Sequence, residues 1–152
     1  MKKTEPPNGP RLEARDIQDQ VRKRLKKYKK LNALEQFAMF MGMAQILEAG
    51  LKNLLVRRYK YEPEKMDKWT LGKTTSELKA SGVRKDFVAL LESVVKYRNH
   101  IAHEFLANDA ILRSLLGGDS GRLELRELEK GIYELEQILL LHDWCEEHNA
   151  WG

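Results

Sequence analysis

The chain has 152 residues, 42% of them hydrophobic and 33% charged, with a formal net charge of +4. That length suits one domain around one core. No window approaches the ~18 uninterrupted apolar residues that a membrane helix needs, and Cys145, the single cysteine, excludes an intrachain disulfide framework. The start, Met1-Lys2-Lys3-Thr4-Glu5-Pro6-Pro7, lacks the apolar stretch of a signal peptide, so the expected location is cytoplasmic.

Residues 1–11 hold three prolines and a glycine and predict a flexible tail, with residues 12–152 as one helical domain. From Leu12 to Tyr61 there is no proline. Ile17, Val21, Leu25 and Tyr28 form a thin apolar stripe, which Leu34, Phe37, Met41, Ala44, Leu47, Leu51 and Leu54 continue. The three- and four-residue steps predict one amphipathic helix or two in succession, with a bend near Leu31 left open. Residues 1–30 carry 11 Lys/Arg against 4 Asp/Glu, a net of +7; residues 119–152 carry 3 against 9, a net of −6. The run Arg22, Lys23, Arg24, Lys26, Lys27, Lys29, Lys30 contains no acid. It either attracts phosphates or forms a solvated face opposite the acidic last helix.

Tyr61-Glu62-Pro63 predicts the helix end, and residues 62–73 a polar connection. Thr74 with Glu77 reads as a capping box opening a short helix that stops at Ser81-Gly82. A further helix runs from about Arg84 to Leu106. Asn108-Asp109 opens a short one through Leu116, and Gly117-Gly118 breaks the chain. The last helix, roughly Ser120 to His148, buries Leu125, Leu128, Ile132, Leu135 and Leu139. No segment alternates with period two. The fold class is all-α, a helical bundle.

The helix from Arg84 carries the chemistry. Phe87, Leu91, Val94, Ile101 and Phe105 form its apolar seam, and the missing step between Val94 and Ile101 is Arg98. An arginine on a seam is costly to desolvate unless paired. It is either tied to an acid such as Glu129 or Glu136, or it lines a site for an anion. Asn99 and His103, four residues apart, lie about 40° apart on one face; Arg98 and His103 lie about 140° apart and ~7.5 Å along the axis. A distorted helix end or a second copy of the chain can complete the geometry. Arg98 can grip a phosphate with two hydrogen bonds, His103 can exchange protons near neutrality, and Asn99 can orient either the ring or a hydroxyl. The bland alternative has His103 satisfying backbone carbonyls at a helix end.

The run Tyr97-Arg98-Asn99-His100-Ile101-Ala102-His103-Glu104-Phe105 resembles the R-N-x-x-x-H motif of HEPN domains, the helical domains of many nucleases and toxins. The long first helix, the Thr70-Leu71-Gly72-Lys73 segment and the final helix extend the likeness over most of residues 31–145. The resemblance implies an up-and-down bundle of four to five helices, here with a basic N-terminal helix extension. It implies a homodimer whose two motifs face one cleft and cut RNA without a metal or other cofactor. His103 then assists attack by the ribose 2′-hydroxyl, Arg98 steadies the phosphate, Asn99 supports, and the product carries a 2′,3′-cyclic phosphate. Lys23, Lys26, Lys27 and Lys30 would gather the RNA. A toxin or antiviral role follows by the same analogy, with a nucleotidyltransferase or antitoxin as partner. Some relatives of this kind carry a tyrosine two residues after the histidine that such a partner modifies; here that residue is Phe105. HEPN domains also include non-catalytic binding subunits, and a helical interaction protein using only the basic helix is a third reading.

Other groupings carry less. His100, His103 and Glu104 lack the H-E-x-x-H order of zinc hydrolases. His142, Cys145 and His148 are spaced three apart and suit metal or thiol chemistry, or a terminal helix turn. Trp144 and Trp151 are partner contacts or packing anchors, and Met39, Met41 and Met43 suit an adaptable core.

Overall fold

The computed structural model describes residues 12–107 and 122–152, and among them every regular element is helical. The tail at 1–11, the short helix from Asn108-Asp109 to Leu116, the Gly117-Gly118 break and the Leu125 side chain lie outside the described residues.

The long amphipathic stripe is two helices. Helix α1 spans Ala14–Leu25 and tightens into a 3-10 turn, Lys26–Tyr28; α2 spans Ala33–Tyr59. The break is written at Asn32. Its side-chain oxygen accepts from the Glu35 amide at 2.8 Å, and the Glu35 carboxylate accepts from the Asn32 amide at 3.1 Å. This reciprocal box satisfies two free donors at the helix start. Gln36 donates from Nε2 to the carbonyls of Tyr28 and Leu31, which closes the preceding turn.

Helix α2 buries Phe40, Ala44, Leu47, Leu51 and Leu54. The alternating steps of four and three place them on one stripe. Each such burial of a large side chain contributes about 1.5–3 kcal/mol before the entropy of ordering is charged. Met39, Met41 and Met43 are half-buried against this core. The helix ends at Lys60, whose left-handed φ of 60° turns the chain.

The next helix, α3, spans Leu71–Ala80, and its cap corrects the expectation at Thr74. Thr70 is the capping residue, accepting from the Lys73 amide at 3.1 Å. Thr74 lies one turn inside, buried, with its hydroxyl donating to the Thr70 carbonyl. Glu77 takes Lys73 and the Tyr61 hydroxyl at 2.9 and 2.8 Å. The polar connection is therefore shorter than 62–73, and it buries Met66. Gly82, at φ 88°, supplies the left-handed residue that ends α3.

Helices α4, Lys85–Ala107, and α5, Arg122–His148, pack side by side. Helix α3 flanks α4, α1 packs on α5, and α2 lies against α3, α4 and α5. Helices α2, α4 and α5 come close together at Gly131 of α5. A Cβ there would stand 2.5 Å from Cδ1 of Ile101 on α4 and 3.4 Å from the Phe40 ring on α2. Only hydrogen fits without displacing core side chains. Among the described residues no helix is long and apolar enough to cross a membrane.

Candidate functional site

Helix α4 is held from three sides, which fixes what its outward residues can do. Val94, Ile101 and Phe105 are buried, and Phe105 stacks on Phe37 of α2 with ring centroids 4.4 Å apart. Ser93 donates to Glu134 of α5 at 2.6 Å. Arg98 occupies the seam position between Val94 and Ile101, as its spacing predicts, and is only half-buried. Among the described residues it has no carboxylate partner. Its Nη1 donates to Oδ1 of Asn99 at 3.2 Å. That bond draws the guanidinium off the seam toward the solvent face, where Asn99, His100 and His103 are exposed.

The helix is unbroken from Lys85 to Ala107, so no distorted helix end brings Arg98 to His103. By regular geometry the two stand about 140° and ~7.5 Å apart along the axis, and Asn99 lies between them in azimuth. One chain therefore presents an arginine–asparagine pair and, one turn on, an exposed imidazole. The pair can hold an anion with charge-assisted hydrogen bonds. The imidazole can move a proton. Convergence of both on one phosphate needs side-chain reach or a second chain.

The acids proposed as partners of Arg98 are engaged otherwise or stand apart. Glu129 is exposed. Glu136 is fully buried on α5, and its Oε1 receives the Tyr28 hydroxyl at 2.9 Å and Lys27 Nζ at 2.6 Å. Burial, and then the neighbouring Glu136 charge, push the Tyr28 phenol above its ordinary value, so it remains a donor. Arg24 adds a second tie to α5 at Asp143, 2.9 Å. The basic run thus divides. Arg24 and Lys27 neutralise acids of α5, which is the solvated-face alternative realised within one chain. Lys23, Lys26 and Lys30 are exposed and make no ion pair among the described residues. Of the four lysines expected to meet RNA, Lys27 is the one committed to packing. Nothing in the sequence singles it out, because the acid that claims it lies 109 positions away.

This division has a measurable consequence. Lys27→Ala leaves the buried Glu136 carboxylate short of its cation and should cost about 1–3 kcal/mol in urea unfolding. Lys23→Glu, Lys26→Glu and Lys30→Glu combined should leave the unfolding midpoint in place, since all three side chains are exposed. Equal stability loss in both variants would refute the division.

The remaining groupings resolve into packing. Cys145 is buried and burial raises its thiol pKa, so it stays protonated. His148 bonds to the Trp144 carbonyl at 2.9 Å and lies over the Trp144 ring. Trp151 is 2% exposed and packs edge-on to Phe87. Among the described residues no three His, Cys, Asp or Glu side chains converge as metal ligands. Compared with known proteins, the chain matches no family model, no curated protein and no solved structure.

Proposed function

We propose that this protein is a HEPN-type ribonuclease, cytoplasmic and homodimeric, whose five described helices form the HEPN bundle and whose Arg98, Asn99 and His103 cut RNA without a metal. One observation carries the reading: a half-buried arginine on an apolar helix seam, without a carboxylate among the described residues, whose guanidinium meets exposed Asn99 and stands about a turn from an exposed histidine. A planar cation without an acid partner at a solvent face suits a bidentate grip on an anionic substrate. His103 accepts the proton of a ribose 2′-hydroxyl. The 2′-oxygen attacks the adjacent phosphorus, the bond to the 5′-oxygen breaks, that oxygen takes a proton from solvent and leaves as a 5′-hydroxyl, and the His103 imidazolium returns its proton to solvent. Arg98 and Asn99 hold the phosphate oxygens as charge grows on them. Lys23, Lys26 and Lys30 gather the strand. A toxin or antiviral setting, with a nucleotidyltransferase or antitoxin partner, is part of the same proposal.

The second chain is proposed to sit on α2. Its outward face, with Leu34, Ala38, Gly42, Gln45, Ile46 and Ala49, carries one charge, Glu35, at its N-terminal end. Leu34 is 45% and Ile46 61% exposed, unusual for large aliphatic side chains. This face adjoins Phe37, which stacks on Phe105 of the motif helix. Ile46→Glu should convert dimer to monomer in sedimentation velocity and remove cleavage together with it. A monomeric wild-type chain that still cuts refutes this part.

The deciding experiment is cleavage of varied RNAs by purified protein in excess chelator, with the new ends identified. Cyclic phosphate ends support the reading. A wild-type chain inert on every RNA supports instead a non-catalytic HEPN-like binding subunit.

A further inference from the structure

Helices α3 and α4 leave an open groove of about 400 Å³ between them. Gly72, Ser76 and Lys79 line it from α3; Glu92, Val95 and Lys96 line it from α4. The volume lies at the lower end of the ~300–1,000 Å³ typical of small-ligand sites. Gly72 faces Val95 across the groove, and a Cβ there would meet the Val95 side chain in ordinary contact at 3.6 Å.

The charges in this groove are not equivalent. Lys79 pairs with Glu92 across it at 3.3 Å. Lys96 has no ion pair among the described residues. The hydroxyl of Ser76 is turned to the Gly72 carbonyl, so its oxygen remains as an acceptor. The groove thus offers one uncommitted cation at its Lys96 end, an aliphatic wall at Val95, and a half-neutralised carboxylate beyond. Lys96 and His103 are seven residues apart on an unbroken helix, about 20° apart in azimuth and ~10.5 Å apart along the axis. They share a face more closely than Arg98 and His103 do.

We propose that the α3–α4 groove is a nucleotide subsite that holds the RNA unit flanking the cleaved linkage, with its phosphate on Lys96 and its base against Val95. This rests on the ribonuclease reading of the α4 site. The orientation follows from the charges. Glu92 repels a phosphate, so the phosphate takes the Lys96 end, which is the end toward Asn99 and His103. The base then lies near Glu92, whose free carboxylate oxygen accepts from an exocyclic amino group. The subsite therefore favours cytosine over uracil, as carboxylates do when they read base edges.

The test measures binding of fluorescent hexaribonucleotides by anisotropy, in chelator, on a His103→Ala background that cannot consume the probe. Lys96→Glu and Ser76→Phe should each weaken binding about tenfold, and the milder Lys96→Gln severalfold. Lys85→Glu, the same charge change at the far end of α4, should stay within about twofold as a control for bulk electrostatics. Glu92→Gln should erase the preference for a cytidine-rich over a uridine-rich probe. Circular dichroism and unfolding midpoints keep folding defects apart from lost contacts. Groove variants that bind like Lys85→Glu, or a parent that binds no probe, overturn the subsite. Cleavage in the His103-intact chain separates the two ideas. Groove-dependent binding without cutting keeps the subsite and sinks the nuclease. Cutting that ignores the groove variants does the reverse.

Discussion

On the proposed ribonuclease reading, His103→Ala should lower cleavage in chelator by about 10²–10⁴-fold, the range expected when a positioned acid–base group is removed. Arg98→Ala should give a loss of similar order, because the phosphate would then lack both its anchor and the charge that grows favourable in the transition state. The two losses do not add when combined, since each disables the same step. His103 is exposed and makes no contact that the core depends on, so its variant keeps the wild-type unfolding midpoint. Arg98→Lys separates charge from geometry. Lysine supplies the cation but not the planar fork, so it restores substrate binding more than rate. Single-turnover kinetics on one defined RNA, with KM and kcat measured separately, reads all of this. Retained cleavage in His103→Ala rules out the mechanism.

Trp151→Ala should cost about 3–5 kcal/mol, the usual range for emptying a large aromatic site. Small domains have about 5–15 kcal/mol in total, so this one change consumes much of the reserve. The anchor is built in steps. Asn149, at φ 49°, turns the chain out of α5, and the Ala150 amide closes the turn on the Cys145 carbonyl at 2.9 Å. The indole then enters the core, 5.0 Å from the Phe87 ring centroid and 5.4 Å from that of His142. The Arg84 amide donates to the Trp151 carbonyl at 2.9 Å, which ties this segment to the start of α4. Arg84 is itself clamped by both oxygens of Asp86 at 2.7 Å, and that fork holds the Asp86 carboxyl below the ordinary carboxylate range. Urea denaturation of Trp151→Ala and Trp151→Phe measures the step, with the phenylalanine variant losing less. A midpoint unchanged in Trp151→Ala refutes the anchor.

The helices were legible because hydrophobic period is a local property. The seam of α4 and the buried stripe of α5 follow from spacing alone, and Arg98 stands out as a charged residue that interrupts the apolar seam of α4. What the spacing hides is decided between distant parts of the chain. Thr70 and Thr74 are both plausible caps, and Met66 and Leu71, buried in the core, favour the earlier start. Asn32 with Glu35 was a capping signature hidden inside a continuous apolar stripe. Gly131 has no local reason to be glycine, and its role appears only where Ile101 and Phe40 meet it. The candidate site shows the same boundary. Residue types and their separation along α4, and even the contact between neighbours Arg98 and Asn99, are local properties, whereas the groove ending at Lys96 arises from the packing of α3 on α4.

The tie at Glu136 changes how truncation is to be understood. Residues 12–31 look detachable by composition, a cationic strip ahead of the main body. Yet Val21 and Tyr28 are sunk in the interior, and Tyr28 and Lys27 are the hydrogen-bonding company of a carboxylate with no access to water. Cutting the strip away removes both partners of that carboxylate and bares the apolar flank of α5. Truncation therefore tests packing before it tests any role of the strip, and point changes at its outward lysines are the cleaner probe.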